Sequence, residues 1–277
     1  MIVYSPDARL RTSVFSAVRA TGRDLLKFRW QIWTTFRRDL KLKYTGTVFG
    51  VAWAFIQPVV PMSAYIALRA MRVFPDDATM HPVIYVSVGM TIWLLLASAL
   101  KSPITALRKD RGIVATSRYP IACTMAGNLA QLVFETAVRL LVVVPAVLVF
   151  LGVPPLTLLL TPLLLIPALA MCVGAGALLA VANVAVPDIS KLVDVALRYL
   201  VFISFGIFAL PKTGTVGLLY RFNPFAVYVE NIRSLAILGE MPDFDLYLWV
   251  SGISVLLFAY AAKVVYVVED RIRGAIQ

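Results

Sequence analysis

The sequence has little charge and few side chains suited to metal or redox chemistry. Only 15% of its 277 residues are charged and 60% are hydrophobic, whereas about a quarter of the residues in soluble domains are charged. Both cysteines, Cys123 and Cys172, lie in apolar stretches, and His81 is the single histidine. A soluble domain would have to bury several long uncharged runs in one core. We therefore expect a membrane protein with no disulfide and no metal site.

Motifs for catalysis and nucleotide binding are also absent. The sequence contains no GxxxxGK[ST] P-loop, no His–acid pair and no serine in a nucleophile elbow. It also shows no internal repeat of the kind found in many secondary transporters. We expect no catalytic residue and no cofactor bound by this chain. If transport uses ATP, then ATP and Mg must be held by a separate ATPase chain.

Long apolar runs predict an all-α polytopic protein with six transmembrane helices, because about 20 apolar residues cross the hydrocarbon core. The runs cover about 45–68, 82–100, 121–151, 156–186, the stretch after Pro187 to about Leu210, and 246–268. Pro58 and Pro61 should kink the first span, and Gly174 and Gly176 should allow a close helix contact. The opening residues lack the apolar core of a cleavable signal peptide, so we expect the first span to be its own targeting signal.

The basic residues indicate the orientation. With six spans, 20 of the 26 Lys and Arg residues fall on the side of the two termini and five on the other side, with Arg139 inside the membrane. The positive-inside rule then places both termini in the cytoplasm. Because the cations flank apolar spans, we attribute the net charge of +11 to membrane orientation and expect no nucleic-acid partner.

The chain ends differ from the apolar middle. We predict a cytoplasmic lead over 1–22, an amphipathic interfacial helix over 23–43, a six-span domain over 44–268 and a cytoplasmic tail over 269–277. In 23–43 the apolar and most basic residues fall on opposite arcs at helical spacing, which is typical of a helix lying in the membrane interface. The alternative is an amphipathic helix packed on the rest of the protein.

Two short motifs carry a resemblance to a known family. The first is RDLKLKY-x-GTVFGVAWAFIQP at 38–58, in which a basic arm runs into a small-residue turn, a Trp and a Pro. The second is YRFNPFAVYVE at 220–230, with its Asn-Pro pair. Together they resemble the permease subunits of bacterial ABC exporters for cell-envelope polysaccharides, over about 23–268. The residues FGVAWAFIQP of the first motif resemble the O-antigen exporters more closely than the capsule or teichoic acid exporters.

The resemblance implies partners and a location. It implies a second copy of the chain, two ABC ATPase subunits, a lipid-linked polysaccharide and the bacterial inner membrane. It further implies a coupling helix that docks on the ATPase within the cytoplasmic segment 101–118. There Ser102-Pro103 can start a helix and Gly112 can end it. The candidate coupling residues are Pro103, Leu107, Arg108, Lys109 and Arg111. The alternative is a solvated basic loop.

Further candidate residues lie in the arm and the spans. Four cations could hold the phosphate of a lipid carrier: Arg37, Arg38, Lys41 and Lys43. Glu135 and Arg139, at i and i+4, are expected to neutralise each other within the membrane, either to hold helices together or to line a polar passage. Six aromatic residues could stack on sugars, although core packing or interface anchoring is the alternative for each: Trp53, Phe55, Phe205, Tyr220, Phe222 and Tyr228.

The segment 211–245 is predicted to form two short re-entrant helices, broken at Asn223-Pro224 and Gly239. Ordinary surface helices are the alternative. The favoured function is therefore the channel-forming subunit of an ATP-driven polysaccharide exporter. The competing classes are an ATP-independent channel or secondary carrier, and a membrane-bound transferase of lipid-linked sugars.

Overall fold

The computed structural model describes residues 12–46, 80–116, 119–206 and 214–276, together with eight single positions between 52 and 71. Every secondary-structure element in this part of the chain is helical. The helices are α1 (Val14–Lys27), α2 (Arg29–Tyr44), α3 (Pro82–Lys109), α4 (Arg111–Thr116), α5 (Ile121–Leu151), a 3₁₀ helix (Leu156–Leu160), α6 (Thr161–Ala185), α7 (Ile189–Ile203), α8 (Gly214–Phe222), α9 (Pro224–Leu238) and α10 (Phe244–Ile276).

The amphipathic arm consists of two helices where the sequence predicted one helix over 23–43. The first helix starts nine residues earlier, inside the predicted lead, because Ser13 caps it by accepting from Ser16 N at 3.3 Å. The chain bends at Phe28, whose ring packs edge-on against Tyr119 at 5.6 Å. Before the bend, α1 packs on α10 and α5; after the bend, α2 packs on α5. The arm therefore lies against the bundle.

Four long helices are apolar enough to cross a membrane in the described part of the chain: 83–109, 121–151, 156–185 and 244–274. They correspond to predicted spans two, three, four and six, so the six predicted spans are not confirmed as such. The first predicted span lies outside the described residues except for single positions. Two helices are longer than predicted, since α3 continues to Lys109 and α10 continues through the expected tail to Ile276.

The predicted fifth span is shorter than expected. Helix α7 ends at Ile203 instead of continuing to Leu210, and its 15 residues reach only about 22 Å. Two side chains from later in the chain donate hydrogen bonds to backbone carbonyl groups at its end. Asn223 Nδ2 donates to Ile203 O at 3.0 Å, and Arg233 Nη1 donates to Phe205 O at 2.7 Å. Phe205 itself has a φ of +57°, a left-handed value, so the helix cannot continue through it.

The bundle is held by close helix packing. Helix α6 packs against both α3 and α10, and α3 packs against α5. A Cβ added to Gly174 would lie 2.9 Å from Phe258 Cα, and one added to Gly176 would collide with Leu100 O. The predicted close contact at these two glycines is therefore confirmed, and it joins α6 to two different neighbours.

The two short helices predicted between spans five and six are present as α8 and α9. Asn223 caps α9 by accepting from Phe225 N at 3.1 Å, Pro224 begins it, and Gly239 ends it in the left-handed conformation with a φ of +81°. Twelve residues of α9 are buried, among α3, α6, α10 and the 3₁₀ helix. The surface-helix alternative is therefore wrong for α9, which lies inside the bundle.

Candidate functional site

The basic end of the bundle collects most of the charged contacts. We use this name for the end where α3, α6 and α10 finish and where α5 and α7 begin. Helix α4 joins α3 to α5 there and packs on α10. Ser190 N donates to Asn183 Oδ1 at 2.9 Å, which fixes the turn from α6 into α7. The arm helices α1 and α2 pack along the same end.

An ion-pair network ties the arm to the end of α3, and we call it the arm clamp. Arg38 Nη2 lies 2.7 Å from Asp110 Oδ1 and 2.9 Å from Asp39 Oδ1, while Lys109 Nζ lies 2.7 Å from Asp39 Oδ2. Both carboxylates are buried, with 2% of Asp39 and 4% of Asp110 exposed. Buried carboxylates need such partners to remain charged. The arm clamp therefore fixes α2 to the α3–α4 junction.

The clamp keeps its arginine charged. Burial alone lowers the pKa of the Arg38 guanidinium, but the hydrogen bonds and charges of Asp39 and Asp110 outweigh burial and raise that pKa above its ordinary value. No protonation change of Arg38 is therefore expected in a cell. Any release of the clamp has to come from movement of the helices.

Glu135 on α5 has partners that its sequence neighbourhood does not show. Arg139 Nη2 is 4.0 Å from the carboxylate, but Lys43 Nζ of the arm is 2.5 Å from it and Gln131 Nε2 is 2.9 Å from it. The predicted mutual neutralisation within α5 is therefore incomplete, since the closest cation comes from α2. This second arm contact was missed because the two residues are 92 positions apart.

The end of α10 holds the start of α5. Glu269 Oε1 accepts from Ile121 N at 3.1 Å and from Arg273 Nη2 at 2.7 Å, and the same Arg273 nitrogen donates to Tyr119 O at 2.8 Å. A carboxylate suits a helix N-terminus, where backbone N–H groups lack partners within the helix. The only sequence signal for this contact was the i, i+4 spacing of Glu269 and Arg273.

At the other end, a buried arginine joins α9 to two further elements. Arg233 is 0% exposed and pairs with Glu230 one turn earlier. Its guanidinium carbon lies 3.5 Å from the centre of the Tyr85 ring in α3. A Cβ on Gly89 would be 2.9 Å from Arg233 Nη1, so only glycine leaves room there. An arginine within an apolar stretch was the available signal, and the sequence analysis did not use it.

Comparison with known proteins gives one informative relative. No family model matches the chain. A curated protein from Myxococcus xanthus, the O-antigen export system permease protein RfbA, is 20% identical over 254 residues, which cover 87% of this chain and 94% of that protein. The predicted resemblance is confirmed. The chain is a distant homologue of an O-antigen export permease and matches it over nearly its whole length.

The predicted coupling residues of this chain are divided between two environments. Pro103 and Leu107 are buried within α3, whereas Arg108, Lys109 and Arg111 are exposed at its end. The expected separate helix from Pro103 to Gly112 does not form, because α3 runs through Pro103 and the break comes at Asp110. The three exposed cations are the ones that a partner chain can reach.

The four cations of this chain that were predicted to bind the lipid carrier are likewise divided between two environments. Arg38 is held in the arm clamp and Lys43 by Glu135, whereas Arg37 and Lys41 lie on the exposed side of α2. The arm thus uses two cations to attach itself to the bundle and presents two others to its surroundings.

Half of the aromatic residues predicted to stack on sugars are buried in this chain. Tyr220 donates to Asp243 Oδ2 at 2.8 Å, Tyr228 lies 2.8 Å from Ser254 Oγ, and Phe205 packs edge-on against Tyr220 at 5.2 Å. These three rings pack the core, and no sugar can stack on them in this conformation. Phe222 is 84% exposed and Trp53 is exposed, while Phe55 lies outside the described residues.

No metal centre is built by the described residues. Within 12–46, 80–116, 119–206 and 214–276, no group of three or more His, Cys, Asp or Glu side chains could hold a metal ion. Cys123 and Cys172 are both buried and free of a disulfide. The polar contacts described above join helices to one another.

Proposed function

We propose that this chain is the transmembrane subunit of an ATP-driven exporter that moves a lipid-linked polysaccharide across the bacterial inner membrane. The observation that carries the proposal is the match along nearly the full length of a protein named as an O-antigen export permease. O-antigen is therefore the first candidate glycan, with a capsular polysaccharide or teichoic acid as alternatives. The name of the same relative supports a transport role over an enzymatic one.

The helices support a multi-pass membrane protein. Four described helices are long and apolar enough to span a bilayer, and the arm clamp lies at the end that carries most of the cations. Placed by the positive-inside rule, that end faces the cytoplasm together with both termini. Helices α8 and α9 then lie toward the external face.

We assign the motor to two separate ATPase chains, which bind ATP and Mg. Arg108, Lys109 and Arg111 are exposed at the basic end and offer them a docking surface. Lys109 also contacts Asp39, and the adjacent Asp110 contacts Arg38. A displacement of the α3–α4 junction by the ATPase would therefore move the arm, which supports coupling through the arm clamp.

A second copy of the chain would complete the passage. Helix α7 presents apolar side chains at helical spacing on one face, among them Leu192, Val195, Tyr199 and Phe202, all exposed. A passage between two copies, bordered by the first predicted span, α3 and α7, suits a glycan too long for an enclosed cavity. Among the described members of the predicted aromatic set, Phe222 and Trp53 are the exposed ones and are available to such a substrate.

The proposal is tested by transport in proteoliposomes. The chain is purified with and without a partner ABC ATPase, and appearance of lipid-linked glycan on the far side is followed after ATP addition. We expect movement only with both proteins and ATP. Movement without an ATPase would instead identify a channel or secondary carrier, and formation of a new glycosidic bond would identify a transferase. Comparing O-antigen, capsular and teichoic acid substrates separates the glycan classes.

A further inference from the structure

Two cavities of opposite character lie side by side where α1 packs on α10 and α5. The polar cavity has a volume of about 880 Å³, and its charged lining residues are Arg23, Asp24, Lys27, Glu269, Asp270 and Arg273. The apolar cavity has a volume of about 120 Å³ and is lined mainly by Ala, Leu, Val, Met and Phe side chains. Consecutive residues of α10, Val265 and Tyr266, line one cavity each. A ligand that fills both cavities must therefore be amphipathic.

The order of the two cavities follows the depth of the membrane. Along α10, the apolar cavity is lined by residues between Phe258 and Val265, and the polar cavity by residues between Tyr266 and Arg273. A shift of eight residues corresponds to about 12 Å along a helix axis. Helix α10 finishes at the basic end, which we place in the cytoplasm. The polar cavity therefore lies nearer the lipid head groups and the apolar cavity nearer the acyl chains.

Two cations of the polar cavity are available to a ligand. Arg23 and Lys27 are exposed on α1, and neither forms an ion pair with another described residue. Lys27 Nζ lies 5.4 Å from the centre of the Phe28 ring, whereas Arg273 is already paired with Glu269 at 2.7 Å. Because Arg23 and Lys27 are four residues apart on one face of α1, both can donate to the same phosphate.

The carboxylates of the polar cavity restrict the rest of the head group. Three carboxylates and three cations line it, so an anion without a positive charge of its own would meet repulsion as well as attraction. A head group with one charge of each sign matches this balance. Asp270 is exposed on α10, and a carboxylate can accept several hydrogen bonds. A primary ammonium can donate them, whereas a quaternary ammonium has no N–H group.

The apolar cavity suits a short piece of hydrocarbon chain. Thr21 carries the one polar group among its described lining side chains, and α1, α5, α6 and α10 all contribute to it. Apolar cavities of about 150 Å³ stay dry and take up small hydrocarbons, and the present one is of similar size. Each methylene group that enters it removes apolar surface from water or lipid and fills a gap between helices.

We propose that the two cavities together bind a phosphatidylethanolamine molecule of the cytoplasmic leaflet. Arg23 and Lys27 hold its phosphate, Asp270 accepts from its ammonium, and part of one acyl chain fills the apolar cavity. The bound lipid then joins α1 to α10. This binding site goes beyond the proposed function, because its occupancy does not depend on export.

The experiment titrates the delipidated full chain in detergent with dioleoyl phospholipids and measures bound lipid by native mass spectrometry. We expect phosphatidylethanolamine to saturate at a single molecule per chain and to bind about tenfold more tightly than phosphatidylcholine or phosphatidylglycerol. Arg23→Gln should weaken this binding about tenfold, as expected for one lost charge-assisted hydrogen bond. The control Arg19→Gln makes the same change at an exposed position of α1 that lines neither cavity and should leave the affinity unchanged.

A second pair of variants tests the apolar cavity. Ala126 lines it on α5, so Ala126→Leu should fill part of it and weaken binding about tenfold, as expected when about two methylene groups are displaced. Ala137→Leu is the matched control, because Ala137 is exposed on the same helix and lines neither cavity. It should leave the affinity unchanged.

Several outcomes would overturn the site. Equal affinity for phosphatidylglycerol or phosphatidylcholine would reject the assigned head group. Equal losses in Arg23→Gln and Arg19→Gln would show a general attraction between a basic helix and lipid, and unchanged binding in Ala126→Leu would reject the acyl-chain cavity. Displacement of the lipid by a partner ABC ATPase would assign the polar cavity to protein docking. Failure of ATP-dependent export by a chain that binds the lipid would reject the proposed function alone.

Discussion

Arg233 in α9 donates a 2.7 Å hydrogen bond to the carbonyl oxygen of Phe205, just beyond the last turn of α7. The two residues are 28 positions apart, and both are buried. The contact fixes the place where α7 stops, and Glu230 balances the charge of the arginine. The residues just beyond the end of α7 are thus held by a residue that follows in a different helix.

Removing Arg233 is expected to destabilise the protein strongly. Arg233→Met would leave the Glu230 carboxylate and the Phe205 carbonyl without their buried donor, which typically costs about 3–5 kcal/mol. We expect a large fall in Tm, measured by thermal unfolding in detergent. Arg221→Met, on an exposed position of α8, is the matched control and should change Tm little. Equal Tm values for the two variants would contradict the role given to Arg233.

Closing the glycine contact between α6 and α3 is expected to separate those helices. Gly176→Ala places a methyl group against Leu100 O, whereas Gly252→Ala on α10 meets no atom within 4 Å. The first variant should lower Tm, because backbone cannot give way cheaply. The second should leave Tm unchanged or raise it slightly, since Ala favours a helix over Gly. A neutral Gly176→Ala would show that α3 and α6 lie further apart.

Opening the arm clamp is expected to uncouple the ATPase from export. Arg38→Gln and Asp110→Asn each remove one side of the same contact, so their effects on ATP-dependent export should be far from additive in the double variant. Lys191→Gln changes an exposed cation on α7 and serves as the control for lost charge. Independent effects in the double variant, or an equal loss in Lys191→Gln, would argue against coupling through the clamp.

The orientation can be tested with single introduced thiols. Cys123 and Cys172 are buried and are replaced by Ala to give a cysteine-free background. Phe222→Cys should react with an impermeant maleimide in intact cells, because that position is 84% exposed on the proposed external side. Arg111→Cys should react only after the membrane is permeabilised. Labelling of both thiols from one side would contradict the assigned topology.

Local patterns predicted the parts of the fold that local chemistry decides. The bounds of α5 agree with the predicted third span, and the breaks at Asn223-Pro224 and Gly239 occur where expected. Each depends on residues adjacent in sequence: a proline at a helix start, a capping asparagine and a glycine in the left-handed region. The close contact at Gly174 was predicted from a different signal, the small size of the residue within an apolar helix.

Distant partners decided the features that the sequence did not reveal. Glu135 was expected to pair within its own helix, yet its nearest cation, Lys43, comes from the arm. The arm bends at Phe28, and α1 packs on α10 as well as on α5, whereas α2 packs on α5. Spacing along one helix carries no record of such cross-helix contacts.

The hydrogen bond from Ile121 N to Glu269 has a consequence for the order of assembly. A ribosome makes Ile121 long before Glu269, so the start of α5 has this side-chain acceptor only after α10 has been synthesised. The packing of α3 and α5 is therefore completed late in synthesis. A purification tag is best attached beyond Ile276, and a truncation that removes Glu269 should leave the newly made chain open to membrane quality-control proteases.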